Sequence, residues 1–100
     1  MVNTEKQIID EYFVFSADIK PQATISIYKE EFDAYIGITP QGIKEYAVLN
    51  KKYIVGKNSE NDFFVIKKGE EKYKQLKHEE FKLFIESINT VFDKIKWKDV

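Results

Sequence analysis

Two kinds of hydrophobic spacing divide this chain of 100 residues. Residues 11–68 contain short runs of Ile, Val, Phe and Tyr in which apolar and polar positions alternate, a spacing typical of β-strands. Residues 78–96 instead follow the helical repeat. Their apolar side chains fall within a stripe about 100° wide and are Phe81, Phe84, Ile85, Ile88, Phe92 and Ile95. The pattern therefore predicts a strand-rich region followed by one C-terminal amphipathic helix.

Alternation within residues 11–17 predicts a strand whose two faces carry different side chains. We expect the face that carries Phe13, Phe15 and Ala17 to point inward. The residues that follow, 18–22, contain a proline and predict a turn. Residues 11–17 are thus expected to form one strand of the sheet.

Two hairpins are expected in the strand-rich region. In residues 23–28 Ile alternates with small polar residues, and a second alternating run occupies residues 34–39. The charged residues between the two runs, 29–33, break the apolar pattern, so the sequence predicts a hairpin over residues 24–39. Residues 51–57 and 61–69 predict a second hairpin around residues 58–61, because that polar loop has the composition of a turn.

Residues 39–42, Thr-Pro-Gln-Gly, allow two interpretations. Proline second and glycine fourth suit a type I turn that joins strands, whereas Thr followed by Pro also begins helices. The second interpretation predicts a helix from residue 40 to 52. Gly42 near the start of a helix and the β-rich run at residues 46–49 favour the turn. The two interpretations predict different folds.

The fold class that these patterns predict is α+β, in one domain over residues 1–100. We expect a twisted antiparallel sheet of five or six strands, half-barrel-like, with the C-terminal amphipathic helix packed on one face. Pleckstrin-like half-barrels share this order of elements, a similarity of architecture alone. Hydrophobic residues make up 43% of the chain, so a domain of this length can bury a core without covalent crosslinks.

The sequence contains few residues that could carry out catalysis. There is no cysteine, which excludes disulfides, thiolate metal sites and thiol nucleophiles. His78 is the single histidine, no serine lies in a GxSxG setting, and the four glycines are too scattered for a phosphate-binding loop. We therefore predict no enzyme, and no catalytic, cofactor-binding or metal-binding residues.

The location of the protein is predicted from what its sequence lacks. The N-terminal residues have no basic start followed by an apolar run, and no apolar stretch approaches the roughly 18 residues of a membrane span. We expect a soluble, cytoplasmic protein without a membrane partner.

Charge is divided unevenly along the chain. Residues 1–43 hold 3 Lys against 7 acidic residues, a net −4, and residues 44–100 hold 13 Lys against 10 acidic residues, a net +3. All 16 basic residues are Lys, so the bidentate guanidinium fork that reads guanine edges is missing. Specific recognition of the DNA major groove is therefore disfavoured.

Lysines and aromatic residues are interleaved in the second half of the chain, around Tyr53, Phe63, Phe64 and Tyr73. Single-stranded nucleic acid is bound by such sets, through charge neutralisation and base stacking. Half-buried strand positions with solvated lysines at the edges would give the same pattern. The nucleic-acid candidates are Lys51, Lys52, Tyr53, Lys57, Lys67, Lys68, Lys72, Tyr73 and Lys74.

Residues 67–85, KKGEEKYKQLKHEEFKLFI, resemble the strand-into-helix junction of positive-cofactor-four type single-strand-binding proteins. In that family a basic Lys/Gly segment leads to a Leu, then to two acidic or amide residues and an aromatic residue that opens the last helix. The matching positions are Lys68, Gly69, Lys72, Leu76, Glu79, Glu80 and Phe81. The chain departs from the family at Tyr73 and Lys74, where further glycines are usual. The resemblance implies a single-stranded nucleic acid as ligand.

The predicted helix also carries a second line of residues, opposite its buried stripe. Leu83 and Trp97 lie on this line, and tryptophan is enriched among the residues that dominate interface energies. The alternative is that the helix frays near its end and Trp97 folds back onto the sheet. We expect Leu83 and Trp97 to bind a partner protein or a second copy of the chain.

The function that we predict is that of a small, non-enzymatic intracellular binding protein, such as an adaptor, inhibitor or accessory factor. Its partner is expected to be another protein, and no small-molecule substrate or cofactor is inferred. The alternative function is single-stranded nucleic-acid binding through the Lys/aromatic hairpin.

Overall fold

The computed structural model describes residues 4–16 and 22–100. Within these residues the chain forms nine strands, one α-helix and the 3₁₀ turn Phe92–Lys94. The elements are β1 (Thr4–Ile9), β2 (Tyr12–Ser16), β3 (Thr24–Lys29), β4 (Ala34–Gly37), β5 (Ile43–Leu49), β6 (Tyr53–Asn58), β7 (Phe63–Lys67), β8 (Lys74–Leu76), α1 (His78–Ser87) and β9 (Lys98–Asp99). No helix in this part of the chain is long and apolar enough to cross a membrane.

The strands form two antiparallel sheets rather than the one sheet of five or six strands that the sequence predicts. Sheet A has the order β1-β2-β3-β4, and sheet B has the order β8-β7-β6-β5-β9. One hydrophobic core joins residues of both sheets, and a second core lies between sheet B and α1 with the C-terminal segment. The predicted α+β class is correct, but the described residues form three layers instead of a half-barrel with one helix.

The chain passes from sheet A to sheet B at residues 39–42. The helix over 40–52 is wrong, because β5 begins at Ile43. Residues 39–42 join two strands, as the other interpretation predicts, but they do not form the expected type I turn, since the Gly42 amide donates to the Ala23 carbonyl at 3.0 Å. The turn stays beside β3 first, since the Ile25 amide donates to Thr39 Oγ1 at 2.9 Å. Gly42 then has a φ of 107°, a conformation that favours glycine. These residues therefore connect two sheets and do not close a hairpin.

The buried face of β2 is opposite to the predicted one. Tyr12, Val14 and Ser16 are buried, whereas Phe13 and Phe15 are half-buried on the outer face of sheet A. There both phenyl rings contact Tyr35, at centroid distances of 5.2 and 4.9 Å. Both faces of this strand carry large apolar side chains, so alternation alone does not select the inner one. Ala17 and the predicted turn at 18–22, apart from residue 22, lie outside the described residues.

The two predicted hairpins are confirmed. β3 pairs with β4 and β6 pairs with β7, both antiparallel. Strands outside the predicted region 11–68 complete the sheets, because β1 precedes it and β8 and β9 follow it. β8 and β9 have three and two residues, which is too short for an alternating pattern to identify.

The helix begins at His78 as predicted but ends at Ser87, well before residue 96. Asn89 adopts a φ of 58°, and the Thr90 amide donates to the Ile85 carbonyl at 2.8 Å. The Asn89 amide donates to the Glu86 carbonyl at 3.0 Å, which completes a Schellman motif. The helix has no basic residue in its last turn, and Lys94, Lys96 and Lys98 lie beyond its end.

Candidate partner-binding groove

Trp97 does not share a helix face with Leu83, because α1 ends ten residues before it. The indole packs on sheet B, with ring centroids 6.0 Å from Phe63 and 6.2 Å from Phe81. Lys57 Nζ lies 5.5 Å from the centroid of the indole ring. The predicted outer line of Leu83 and Trp97 is therefore wrong, and the fold-back alternative describes the position of Trp97.

Leu83 does point away from the core, and 67% of its surface is exposed. It lies on α1 between Phe81 and Ile85, which are both buried against sheet B. Two residues along a helix correspond to a rotation of about 200°, so burial of these neighbours directs Leu83 outward. Leu83 borders a hollow of about 360 Å³, together with Val65, Lys74, Leu76, Glu80 and Phe84.

The hollow beside Leu83 lies between α1 and the last two strands of sheet B, since Val65 of β7 and Lys74 and Leu76 of β8 line it. β8 is the first strand of that sheet and pairs only with β7 among the described residues. The other edge of such a strand presents main-chain N–H and C=O groups that can pair with another strand. Lys74 and Leu76 of β8 and Leu83 of α1 line one hollow, so the helix and this edge strand border the same space. An exposed apolar side chain thus lies next to an unpaired strand edge.

Two further hollows continue from the one at Leu83. A hollow of about 240 Å³ shares Val65, Lys74 and Phe84 with it, and a third of about 440 Å³ shares Lys67 with the second. We call the three together the α1–β8 groove. Its second and third hollows are lined by Tyr53, Val65, Lys67, Glu70, Lys72, Tyr73, Lys74, Phe84, Glu11, Lys51, Lys52, Lys68 and Gly69.

The groove brings together eight of the nine nucleic-acid candidates: Lys51, Lys52, Tyr53, Lys67, Lys68, Lys72, Tyr73 and Lys74. Lys57 lies apart, since its Nζ is 3.5 Å from Glu45 Oε1 and faces Trp97. The interleaved rings that were expected to stack bases are mostly unavailable, because Phe63 and Phe64 are only 1% and 4% exposed. The groove therefore contains six of the seven candidate lysines. Of the four aromatic rings, only those of Tyr53 and Tyr73 line it.

Charges within the groove are only partly neutralised. Lys68 Nζ lies 2.7 Å from Asp10 Oδ2, and Lys72 Nζ lies 3.7 Å from Glu70 Oε2. The hydrogen bond to Asp10 raises the pKa of Lys68, so this lysine stays charged. Among the lysines of the groove, those without an ion pair to any described residue are Lys51, Lys52, Lys67 and Lys74. The groove thus retains uncompensated positive charge.

Tyr12 is a groove-shaping residue that sequence reasoning missed. Its ring is fully buried in the core between the sheets, and its hydroxyl reaches the loop between β7 and β8. The hydroxyl donates to the Glu70 carbonyl and accepts from the Gly69 amide, both at 2.8 Å. Burial raises the pKa of Tyr12, so the hydroxyl keeps its proton. A side chain of sheet A therefore holds the loop that lines the groove.

The other flank of α1 has a hollow of about 500 Å³ that includes His78, Phe92 and Asp93. His78 Nδ1 lies 3.7 Å from Glu79 Oε1, and its ring is 5.3 Å from the ring of Phe92. No hydroxyl nucleophile is hydrogen-bonded to this imidazole in the described part of the chain. In the same residues, no three His, Asp or Glu side chains are grouped so as to hold a metal ion.

Comparison with known proteins does not identify the chain. No protein-family model matches it, and no curated protein or solved structure is significantly similar to it. The segment that resembles positive-cofactor-four proteins, residues 67–85, does contain a strand directly before a helix, here β8 and α1. The function of the protein is therefore inferred from the geometry of the α1–β8 groove.

Proposed function

We propose that this protein is a non-enzymatic binding protein that docks an extended segment of a partner protein in the α1–β8 groove. The observation that carries the proposal is Leu83, which is 67% exposed beside a hollow that is also lined by the edge strand β8. The protein would act as an adaptor, inhibitor or accessory factor. Its proposed location, the cytoplasm, draws on the sequence alone.

An edge strand beside a helix supports docking by strand addition. The partner's main chain would pair with the free edge of β8, and alternate side chains would face α1. Leu83, Leu76 and Phe84 border the space that those side chains would fill. Full burial of a leucine side chain contributes about 1.5–3 kcal/mol, so Leu83 can act as the apolar anchor of such an interface.

Site-specific photo-crosslinking tests the proposed docking site. A photoreactive residue at position 83 should crosslink a partner in cells of the source organism, whereas one at position 91 should not. Val91 is a matched control because it is also apolar and 55% exposed, but it follows α1 and borders the opposite hollow. A crosslink at both positions, or at neither, would contradict docking at Leu83.

Purified components then test the contribution of Leu83. Leu83→Ala should weaken binding of the crosslinked segment by about 30-fold or more, the loss typical of an interface hot spot. Val91→Ala should leave the affinity unchanged, and both variants should keep wild-type stability because their side chains are exposed. N-methylation of the partner peptide at alternate residues blocks one strand edge only. Strand addition therefore predicts that one of the two methylated peptides binds and the other does not.

Single-stranded nucleic-acid binding is a second candidate function. The observation in its favour is the convergence of six lysines and two tyrosines on the same groove. If it is correct, labelled oligonucleotides should bind with an affinity that falls as salt increases. The double change of Lys67 and Lys68 to Gln should lower the affinity and flatten that dependence. A salt-independent signal would exclude phosphate contacts.

A further inference from the structure

Lysines without partners extend through the α1–β8 groove from its apolar end. Lys74 borders the hollow at Leu83, Lys67 joins the second hollow to the third, and Lys51 and Lys52 line the third. None of the four forms an ion pair with another described residue. Like charges along one groove repel each other, and a ligand that carries carboxylates would remove this repulsion.

The walls of the groove favour a peptide over a nucleic acid as the source of negative charge. Three of the four apolar side chains at its apolar end are aliphatic, Val65, Leu76 and Leu83, and these suit apolar residues better than nucleobases. The fourth, Phe84, packs against the ring of Tyr53 at a centroid distance of 5.1 Å. Glu70 and Glu80 also line the groove. A phosphate backbone carries a charge at every nucleotide and would meet them, whereas a peptide can place its carboxylates opposite the lysines only. The free edge of β8 offers main-chain pairing, which only a polypeptide can use fully.

We propose that the segment docked in this groove is acidic, with Asp or Glu residues that face the unpaired lysines and an apolar residue that contacts Leu83. This inference rests on the proposed docking function and specifies the chemistry of the partner. Lys74 on β8 also discourages a second copy of the chain from pairing there, because a lysine on an edge strand disfavours edge-to-edge association. An acidic strand has the complementary charge and meets no such repulsion.

Selection from a phage-displayed library of random peptides tests the inference on the intact protein. Peptides are selected on the wild-type chain and then counter-tested on three variants: Leu83→Ala, the double variant Lys67→Gln/Lys74→Gln, and Lys44→Gln. Lys44 is the matched control, because it is an exposed lysine on β5, away from the groove. All of these side chains are exposed, so the variants should fold normally.

The inference predicts that the selected peptides are enriched in Asp and Glu. They should lose binding on Lys67→Gln/Lys74→Gln and on Leu83→Ala but keep it on Lys44→Gln. An exposed lysine–carboxylate pair contributes a factor of about 2 to 5 in affinity. In anisotropy titrations the double variant should therefore bind a selected peptide about 4- to 25-fold more weakly. Replacing the peptide's own acids with Gln should have an effect of similar size.

Three contrary results are distinguishable, and they separate the inference from the proposed function. Neutral or basic peptides that still require Leu83 would overturn the acidic chemistry and leave the docking site in place. Peptides that bind equally well to Leu83→Ala would overturn the docking site as well. Displacement of a bound acidic peptide by single-stranded DNA of equal total charge would overturn the inference in favour of nucleic acid.

Discussion

Replacement of Tyr12 by Phe removes one oxygen atom from the centre of the molecule and tests how the groove is held. The phenyl ring keeps its place in the core between the sheets, so the loss concerns hydrogen bonds alone. Two are removed, to Gly69 and Glu70, each 2.8 Å long. At about 0.5–1.5 kcal/mol for each bond, the free energy of unfolding should fall by about 1–3 kcal/mol.

Chemical denaturation measures this loss directly. Trp97 is the single tryptophan and packs 6.0 Å from Phe63, so its fluorescence reports unfolding of the core beside α1. Tyr46→Phe is the matched control, because Tyr46 is also buried but its hydroxyl has no hydrogen bond to a described residue. The control should shift the midpoint much less than Tyr12→Phe, with the same slope in denaturant.

Hydrogen exchange separates the loop from the core. In Tyr12→Phe the Gly69 amide loses its acceptor, so its exchange should accelerate more than that of β6 amides such as Val55. A stability equal to that of Tyr46→Phe, together with unchanged exchange at Gly69, would refute the idea that Tyr12 holds this loop.

Three further changes test other parts of the fold. A Cβ at Gly56 would lie 2.7 Å from Ile25 Cδ1. Gly56→Ala should therefore lower the free energy of unfolding, measured in urea, by about 1–3 kcal/mol. Ile25→Val removes that Cδ1, and the double variant should lose less stability than the sum of the single changes; simple additivity would argue against the clash. Lys51 has a φ of 56°, so Lys51→Gly should raise the free energy of unfolding by about 1 kcal/mol, and no gain would mean that the turn is unstrained. A hydrogen bond to Glu5 raises the pKa of Tyr35 from 10.0 to about 12. The hydrogen bond therefore contributes fully to stability below pH 10.0, and this contribution is lost as the pH rises through about 12. Ultraviolet titration of the wild-type protein should show a tyrosine that ionises late, and this step should be missing in Tyr35→Phe.

The hairpins and the start of α1 were predictable because local chemistry determines them. Polar loops interrupt the apolar runs at residues 30–33 and 58–61, and Glu80 accepts a hydrogen bond from the Lys77 amide at the helix start. The division into two sheets was not predictable in this way. Alternation of apolar and polar residues shows that a strand has two different faces, but it does not show which sheet the strand joins.

The helix end was missed because the apolar repeat continues beyond it. Ile88, Phe92 and Ile95 pack against the same core as Phe81, although they follow the helix. A repeat of apolar residues reports burial and does not report which backbone atoms are hydrogen-bonded. Asn89 was the available signal, since asparagine accepts the left-handed conformation that ends many helices.

The candidate site was predictable in its residue types but not in its shape. The exposure of Leu83 follows from the helical repeat, and the lysines at residues 67 and 74 follow from the sequence of the hairpin and the strand after it. The groove between them depends on β8, a strand of three residues that no alternation reveals. Tyr12 is distant in the sequence, and only the packing of sheet A on sheet B brings it to the loop.

All three layers hold the walls of the α1–β8 groove in place. Tyr12 of sheet A fixes the loop before β8, and Asn50 Nδ2 donates to the Ile88 carbonyl at the end of α1 at 2.8 Å. At the other end of the helix, Lys77 Nζ lies 2.6 Å from Asp62 Oδ1, and this contact lowers the pKa of Asp62. Side-chain contacts hold both ends of the helix, and Tyr12 holds the loop. The groove is therefore formed in the protein on its own. In the proposed docking, the groove would therefore lose only the rotamer freedom of exposed side chains such as Leu83, and the partner segment would bear the cost of ordering its main chain.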